Sequence, residues 1–215
     1  MWYPLNLDLS GKGCVIVGGG RVAERKAKGL LAAQACVTVI APEITDTLFR
    51  WAENRQLTWI ETPYRAGMLA ELKPLLVFCT ATSPAANRQA AVEAGEVGAL
   101  VNAAASPELT DFQVPSRIVR GDLLLTVATS GDSPAFSRLL RERLESEYPE
   151  SFAVFMQRLK TIRDEIKKLP GGSDVHQRIW RDALNQHVID LVRAGQIDRA
   201  EEEIRHGIID AGIES

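Results

Sequence analysis

A chain of 215 residues, 46% apolar and 25% charged, has the composition of a folded globular protein and the length for one sizeable domain with an appendage, or for two small ones. Its net charge of −3 lacks the basic footprint that binding to a nucleic-acid backbone calls for, and no apolar run reaches the length of a membrane span, so neither partner is expected. The opening Met1-Trp-Tyr-Pro-Leu-Asn-Leu-Asp-Leu9 has neither the charged start nor the long apolar centre of a signal peptide, which points to a cytoplasmic protein.

Leu5, Leu7 and Leu9 alternate with polar residues and predict a short edge strand before the turn Ser10-Gly11-Lys12-Gly13. The next stretch organises the rest of the chain. An apolar, β-rich run at 14–17 meets Gly18-Gly-Gly20 and turns helical, with Ala23, Ala27, Leu30 and Leu31 on one helix face. Gly18, Gly20 and Ala23 fit the G-x-G-x-x-G/A pattern of a dinucleotide site. The first glycine allows the tight turn, the second admits a pyrophosphate against the backbone, and the small third residue lets helix and strand pack closely. The N–H groups at the start of that helix, unpaired within it, then face an anion.

Residues 36–40 form a second strand, ended by Ala41-Pro42, since proline cannot continue a central ladder. A helix over 45–54 carries Leu48, Phe49 and Ala52, and a strand follows at 57–61. A strand at 75–79, a helix at 84–93 and a strand at 99–101 complete an alternation that predicts a parallel, Rossmann-like α/β sheet covered by helices. Ligands of such sheets lie beyond the carboxyl ends of the strands, so 18–22, 41–43, 80–83 and 102–106 are expected to share one rim.

After Pro107 the pattern changes. Residues 113–120 and 122–129 predict a hairpin turning at Gly121, and Ser133-Pro134 opens a helix with Phe136, Leu139, Leu140 and Leu144 as its expected buried stripe. From Tyr148 onward the periodicity is helical. One helix carries Phe152 through Ile166 and stops at Pro170-Gly-Gly172. A second carries Ile179, Ala183, Leu184, Val188 and Leu191 and is broken at Gly195, and a third carries Ile197, Ala200, Ile204 and Ile208. The expected organisation is a dinucleotide-binding domain at 1–112, a hairpin-plus-helix dimerisation region at 113–147 and a C-terminal helical domain at 148–215. Cys14, Cys36 and Cys79 match no zinc or disulfide spacing and are expected to be small buried hydrophobes. His187 is expected to pack between Leu184 and Leu191, no metal site is expected, and the run Glu201-Glu-Glu203 is expected to be a solvated face.

Taken together, several motifs resemble the precorrin-2 dehydrogenases, the module also found at the N-terminus of siroheme synthase. They are the run from Val15 to Ala27, Thr80-Ala-Thr82, and Val101-Asn102 with Pro107-Glu-Leu-Thr-Asp-Phe112. Val114-Pro-Ser116, Thr129-Ser-Gly-Asp-Ser-Pro134 and Arg138-Leu-Leu-Arg-Glu-Arg-Leu-Glu145 complete the set. The resemblance spans about the first 147 residues, with a weaker helical match beyond. It implies NAD-dependent oxidation of precorrin-2 to sirohydrochlorin on the way to siroheme, and a homodimer built through the hairpin and its helix. In some members it also implies a second activity that inserts iron into the macrocycle.

Carried over by motif, Arg21 and Val22 would meet the pyrophosphate of NAD, and Pro42 and Glu43 would lie near the adenosine ribose. Thr80, Ala81 and Asn102 complete the expected cofactor set, while Asn102, Ser130, Ser133 and Arg138 are expected on the substrate side. Basic side chains for a substrate rich in carboxylates are Arg117, Arg120, Arg138 and Arg141. Two departures stand out. Ile40 and Ala41 occupy the end of the second strand, where the plain fingerprint has an acidic residue, so NAD over NADP rests on the resemblance. And Ala105 stands where the family carries an aspartate, its acid/base residue, three positions after the asparagine matching Asn102. An alanine has no proton to exchange. The chain is then a variant that binds without turning over well, a deliberate replacement, or one in which Glu108 or Asp111 has taken the role, although a capped, solvated loop is the plainer reading of those two. The alternative to an impaired dehydrogenase is a tetrapyrrole- or dinucleotide-binding protein without turnover.

Overall fold

The computed structural model describes residues 2–103, 106–168 and 172–213, with side chains described through residue 209. Ala105, and Pro170 and Gly171 of the expected helix stop, lie outside the described residues. The chain forms two compact units, Met1–Val114 and Pro115–Ser215.

The first unit is a parallel sheet of five strands, β1 (Gly13–Val17), β2 (Cys36–Ile40), β3 (Thr58–Ile60), β4 (Leu76–Cys79) and β5 (Leu100–Asn102), in the order β3-β2-β1-β4-β5. Helices α1 (Arg21–Ala32), α2 (Asp46–Glu53), α3 (Met68–Leu72) and α4 (Pro84–Glu96) connect them. The two-residue period of β1 explains the layering. Cys14 and Ile16 pack with Ala23, Ala27 and Leu30 of α1 and Leu48 of α2, whereas Val15 and Val17 pack with Ala90, Ala91 and Ala94 of α4. A strand buried on both faces needs apolar residues at every position, and β1 and β4 have them.

Two expectations about this unit change, and one helix, α3, is added. Residues 2–9 form no strand, and Leu5 and Leu7 are exposed while Leu9 is buried. The reason lies in the sheet order: β1 is already paired on both sides, by β2 and β4, so alternation at 5–9 finds no edge beside it. The five-residue α3 is too short for a periodic signal. Cys36 is exposed rather than buried, because it opens β2 opposite Gly13 at the rim of the sheet, whereas Cys14 and Cys79 lie inside it. Burial pushes the thiols of Cys14 and Cys79 up to about 11, which keeps them protonated.

The second unit opens with an antiparallel hairpin, β6 (Ser116–Arg120) and β7 (Leu123–Val127), in which Ile118 opposes Leu125 and Val119 opposes Leu124. It continues through α5 (Pro134–Glu147), α6 (Ser151–Ile166), α7 (Ser173–Ala183), α8 (Gln186–Arg193) and α9 (Ile197–Ile213). Gly121 turns the hairpin at φ +58°, and a Cβ there would stand 3.2 Å from the Ala153 carbonyl oxygen. The expected second helix is two helices: Leu184 is extended, and Asn185 caps α8 by accepting from the Val188 N–H at 3.1 Å. His187 therefore falls on the exposed side of α8, with Val188 and Leu191 turned into the core. Within the acidic run, Glu201 is half-buried and takes Arg158 at 2.8 Å and Arg205 at 2.9 Å, while Glu202 and Glu203 are exposed.

Helix α5 departs furthest from expectation. Its buried residue is Ser137, whose hydroxyl lies 2.9 Å from that of Thr129; Leu140 and Leu144 are half-buried, and Phe136 and Leu139 are 51% and 60% exposed. Ser137 thus lies on the buried side of α5, and Phe136 and Leu139 are left on an exposed side. Val119 and its cross-strand partner Leu124 are likewise 50% and 42% exposed on one face of the hairpin. Among the described residues no helix is long and apolar enough to cross a membrane.

Candidate functional site

The exits of β1, β2, β3 and β4 surround a cavity of about 510 Å³ in the first unit. Its floor is the glycine turn after β1, and the three glycines do different work. Gly18 has φ +117°, and a Cβ on it would lie 2.7 Å from the Ala81 nitrogen and the Thr80 carbonyl carbon. Gly19, which the fingerprint leaves unassigned, is tighter still: its Cβ would stand 2.0 Å from the Glu43 carbonyl oxygen, and its own carbonyl accepts from the Thr45 N–H at 3.1 Å. Both positions exclude a side chain because backbone occupies the space.

Gly20 is the opposite case. A Cβ there would meet nothing within 4 Å, and the residue caps α1 in an extended conformation with no side chain on the free N–H groups of the first turn. An open cradle above an uncapped helix N-terminus is what an anionic diphosphate requires, so the residues fit a dinucleotide. Other groups hold the walls. The Thr80 N–H and hydroxyl both donate to the Val17 carbonyl, at 2.8 and 3.0 Å. The buried Asn87 amide grips Ala81 on both sides, accepting from its N–H at 2.9 Å and donating to its carbonyl at 2.8 Å. The Trp59 indole N–H donates to the Ala41 carbonyl at 2.9 Å, and Thr45 donates to Glu24 at 2.6 Å, tying the loop after β2 to β3 and to α1.

Of the expected cofactor residues, Gly18, Gly20, Pro42, Glu43, Thr80 and Ala81 line this cavity together. Arg21 and Val22 are the exposed first residues of α1, and Ala23 is buried against the sheet; none of the three lines it. Asn102 does not line it either, being buried at the end of β5 with its amide donating to the Phe112 carbonyl at 2.9 Å. Pro63 and Tyr64, beyond β3, line the cavity although no motif marked them. Glu43 is the one charged side chain on the lining among the described residues.

Asp111 accepts from the Val101 N–H at 2.9 Å and clips the loop after β5, and exposed Glu108 pairs with Arg88 at 3.4 Å. In the second unit, Ser130 has φ +54° in the turn between β7 and α5, and Ser133 caps α5, accepting from the Phe136 N–H at 3.3 Å. Exposed Arg138 pairs with Glu142 at 2.8 Å, Arg141 with Glu145, and Arg120 with Glu150 at 3.4 Å. Arg117 is exposed and, among the described residues, has no carboxylate partner. Among the described residues no group of three or more His, Cys, Asp or Glu side chains is placed to hold a metal ion.

A family model described as "Putative NAD(P)-binding" matches residues 5–116. The siroheme synthase of Nitrosococcus oceani is 32% identical over 99% of the chain and 44% of its own length, and that of Chromobacterium violaceum is 32% identical over 99% and 45%. Siroheme synthase 2 of Yersinia enterocolitica is 31% identical over 93% of the chain and 46% of its own length. The chain thus spans less than half the length of these curated relatives. Among solved structures, SirC, a precorrin-2 dehydrogenase, superposes with a TM-score of 0.76 at 27% identity, covering 97% of this chain and 100% of its own.

Proposed function

The chain belongs to the NAD(P)-binding family that contains the precorrin-2 dehydrogenases and the N-terminal modules of siroheme synthases, and on that premise we propose that it oxidises precorrin-2 to sirohydrochlorin with NAD. The observation that carries the proposal is Gly20, where space for a ligand opens directly over the uncapped start of α1. When bound, NAD supplies the hydride acceptor for a two-electron oxidation. The chain's own part is to hold it. The first N–H groups of α1 meet the diphosphate, and Glu43, three residues past the end of β2 and so an approximate substitute for the carboxylate the fold usually puts at the strand's end, accepts from ribose hydroxyls. As the one charged group described on the lining, Glu43 would repel a 2′-phosphate, which favours NAD over NADP.

On the substrate side, Arg117 is the candidate without a carboxylate partner among the described residues, for a tetrapyrrole bearing many carboxylates. The exposed Val119, Leu124, Phe136 and Leu139 support a homodimer closed over the hairpin and α5. A cytoplasmic location accords with a biosynthetic role. Ala105 supports a second reading, in which the chain binds both ligands and turns over slowly or not at all, since an alanine has no proton to exchange. The test is the rise in NADH absorbance with precorrin-2 at neutral pH, run beside calorimetric titration of each ligand. Turnover supports the dehydrogenase, binding of both without turnover supports the second reading, and failure to bind either overturns both.

A further inference from the structure

Pro63 and Tyr64 close the side of the cavity beyond β2, yet the segment that carries them has no ladder to hold it, since β3 ends at Ile60 and α3 begins only at Met68. What holds it comes from α4. The face that α4 buries is made of Ala90, Ala91 and Ala94, with one charged residue among them, Glu93, 7% exposed. Its carboxylate is fully used. One oxygen accepts from the Tyr64 hydroxyl and from the Gly67 N–H at 3.0 Å, and the other from the N–H groups of Leu69 at 2.9 Å and Ala70 at 3.1 Å. A helix as short as α3 does not hold itself together in water. Desolvating a carboxylate costs stability, and the donors that compensate for it here all lie between Tyr64 and Ala70, in this segment and the first turn of α3.

We propose that Glu93 is a positioning residue that, through Tyr64, fixes the cavity wall against which the adenosine half of the dinucleotide lies. This rests on the dinucleotide reading of the cavity. The half is identified by topology: in this fold the adenosine ribose is met at the end of β2, and β3 is the next strand outward, so the exit of β3 faces the base. The surface there is apolar, made of Ile40, Pro63, Tyr64 and Ala86, which suits the face of a purine. Tyr64 is 8% exposed and belongs to the apolar cluster of Val15, Val17, Ile40 and Val77, and the bond from its hydroxyl to Glu93 joins the cavity wall to α4. A wall that is correctly formed for only part of the time lowers affinity by that fraction.

The test is the dissociation constant for ADP-ribose, measured by calorimetry well below the unfolding midpoint, for the parent, Tyr64→Phe and Glu93→Gln. Amide exchange is followed in parallel. Tyr64→Phe keeps the ring and removes one charge-assisted hydrogen bond, an interaction that shifts an equilibrium by roughly tenfold or more. The expected result is ADP-ribose affinity at least about fivefold weaker, with faster exchange at residues 65–70 and unchanged exchange in β1 and β2. Glu93→Gln presents an NH₂ group to the Gly67 N–H and is expected to lose more; if it does not fold, Tyr64→Phe decides alone. Affinity within about twofold of the parent in a folded Tyr64→Phe overturns the proposal, as does a loss accompanied by faster exchange throughout the sheet. If the parent itself fails to bind ADP-ribose, the dinucleotide reading falls first and this one with it.

Discussion

Gly20→Asp separates the cofactor site from the fold. A Cβ at Gly20 meets nothing within 4 Å, and φ −83° with ψ −170° is open to any L-residue, so the side chain enters the cradle without moving the protein. Aspartate is also a good N-cap, so it would bond the free N–H groups of the first turn of α1 and raise stability by a few tenths of a kcal/mol over glycine. Those are the same groups assigned to the diphosphate. A carboxylate about 4 Å from one phosphate charge, at an effective dielectric of about 20, adds about 4 kcal/mol of repulsion, close to a thousandfold in affinity. Calorimetry with NAD should therefore give an affinity about a thousandfold weaker, and thermal unfolding a midpoint equal to the parent's or slightly higher. An affinity within about tenfold of the parent, or a midpoint lower by more than about 5 °C, refutes the reasoning. Gly19→Ala is the internal contrast: its Cβ would stand 2.0 Å from the Glu43 carbonyl oxygen, so the backbone must move, and the cost of about 1–3 kcal/mol appears in the midpoint.

Ala105→Asp should raise the single-turnover rate by at least about a hundredfold at saturating NAD, because a placed acid/base group contributes that much or more; a folded, ligand-binding variant that is no faster shows that the chemistry is missing elsewhere. Leu139→Lys sets a charge on the exposed apolar side of α5, and light scattering at micromolar concentration should find the parent dimeric and the variant monomeric. Arg117→Gln should weaken tetrapyrrole binding by about tenfold, while Arg138→Gln, whose charge already faces Glu142, should change it by less than about threefold. Burial raises the Glu93 carboxyl, but the hydrogen bonds from Tyr64, Ala70, Gly67 and Leu69 outweigh that and hold it below its ordinary value. Its stabilisation is therefore present above the unfolded-state value and lost as pH falls through the lower folded value, so the midpoint difference between the parent and Glu93→Gln should narrow from about pH 6 to about pH 3. A constant difference counts against the clamp.

Local chemistry was enough to read β1, the glycine turn and α1, because a strand period, a turn and a helix face are written within twenty consecutive residues. The cap at Ser133, followed by proline, marked the start of α5 for the same reason. Sequence also showed that Ala41, rather than an acidic residue, follows β2. The roles of Gly19, Trp59, Tyr64, Asn87 and Glu93 were decided by tertiary structure. Glu93 and Tyr64 are 29 positions apart, and a buried glutamate on an alanine helix looks like a solvated one until the loop that satisfies it is known. The same limit governs α5. Periodicity shows that Phe136 and Leu139 share a side of the helix, but only the packing, in which Ser137 is buried against Thr129, shows that this side is exposed. Spacing along a chain specifies which residues lie together on an element; which of its faces is buried depends on what packs across from it, and that comes from distant parts of the sequence.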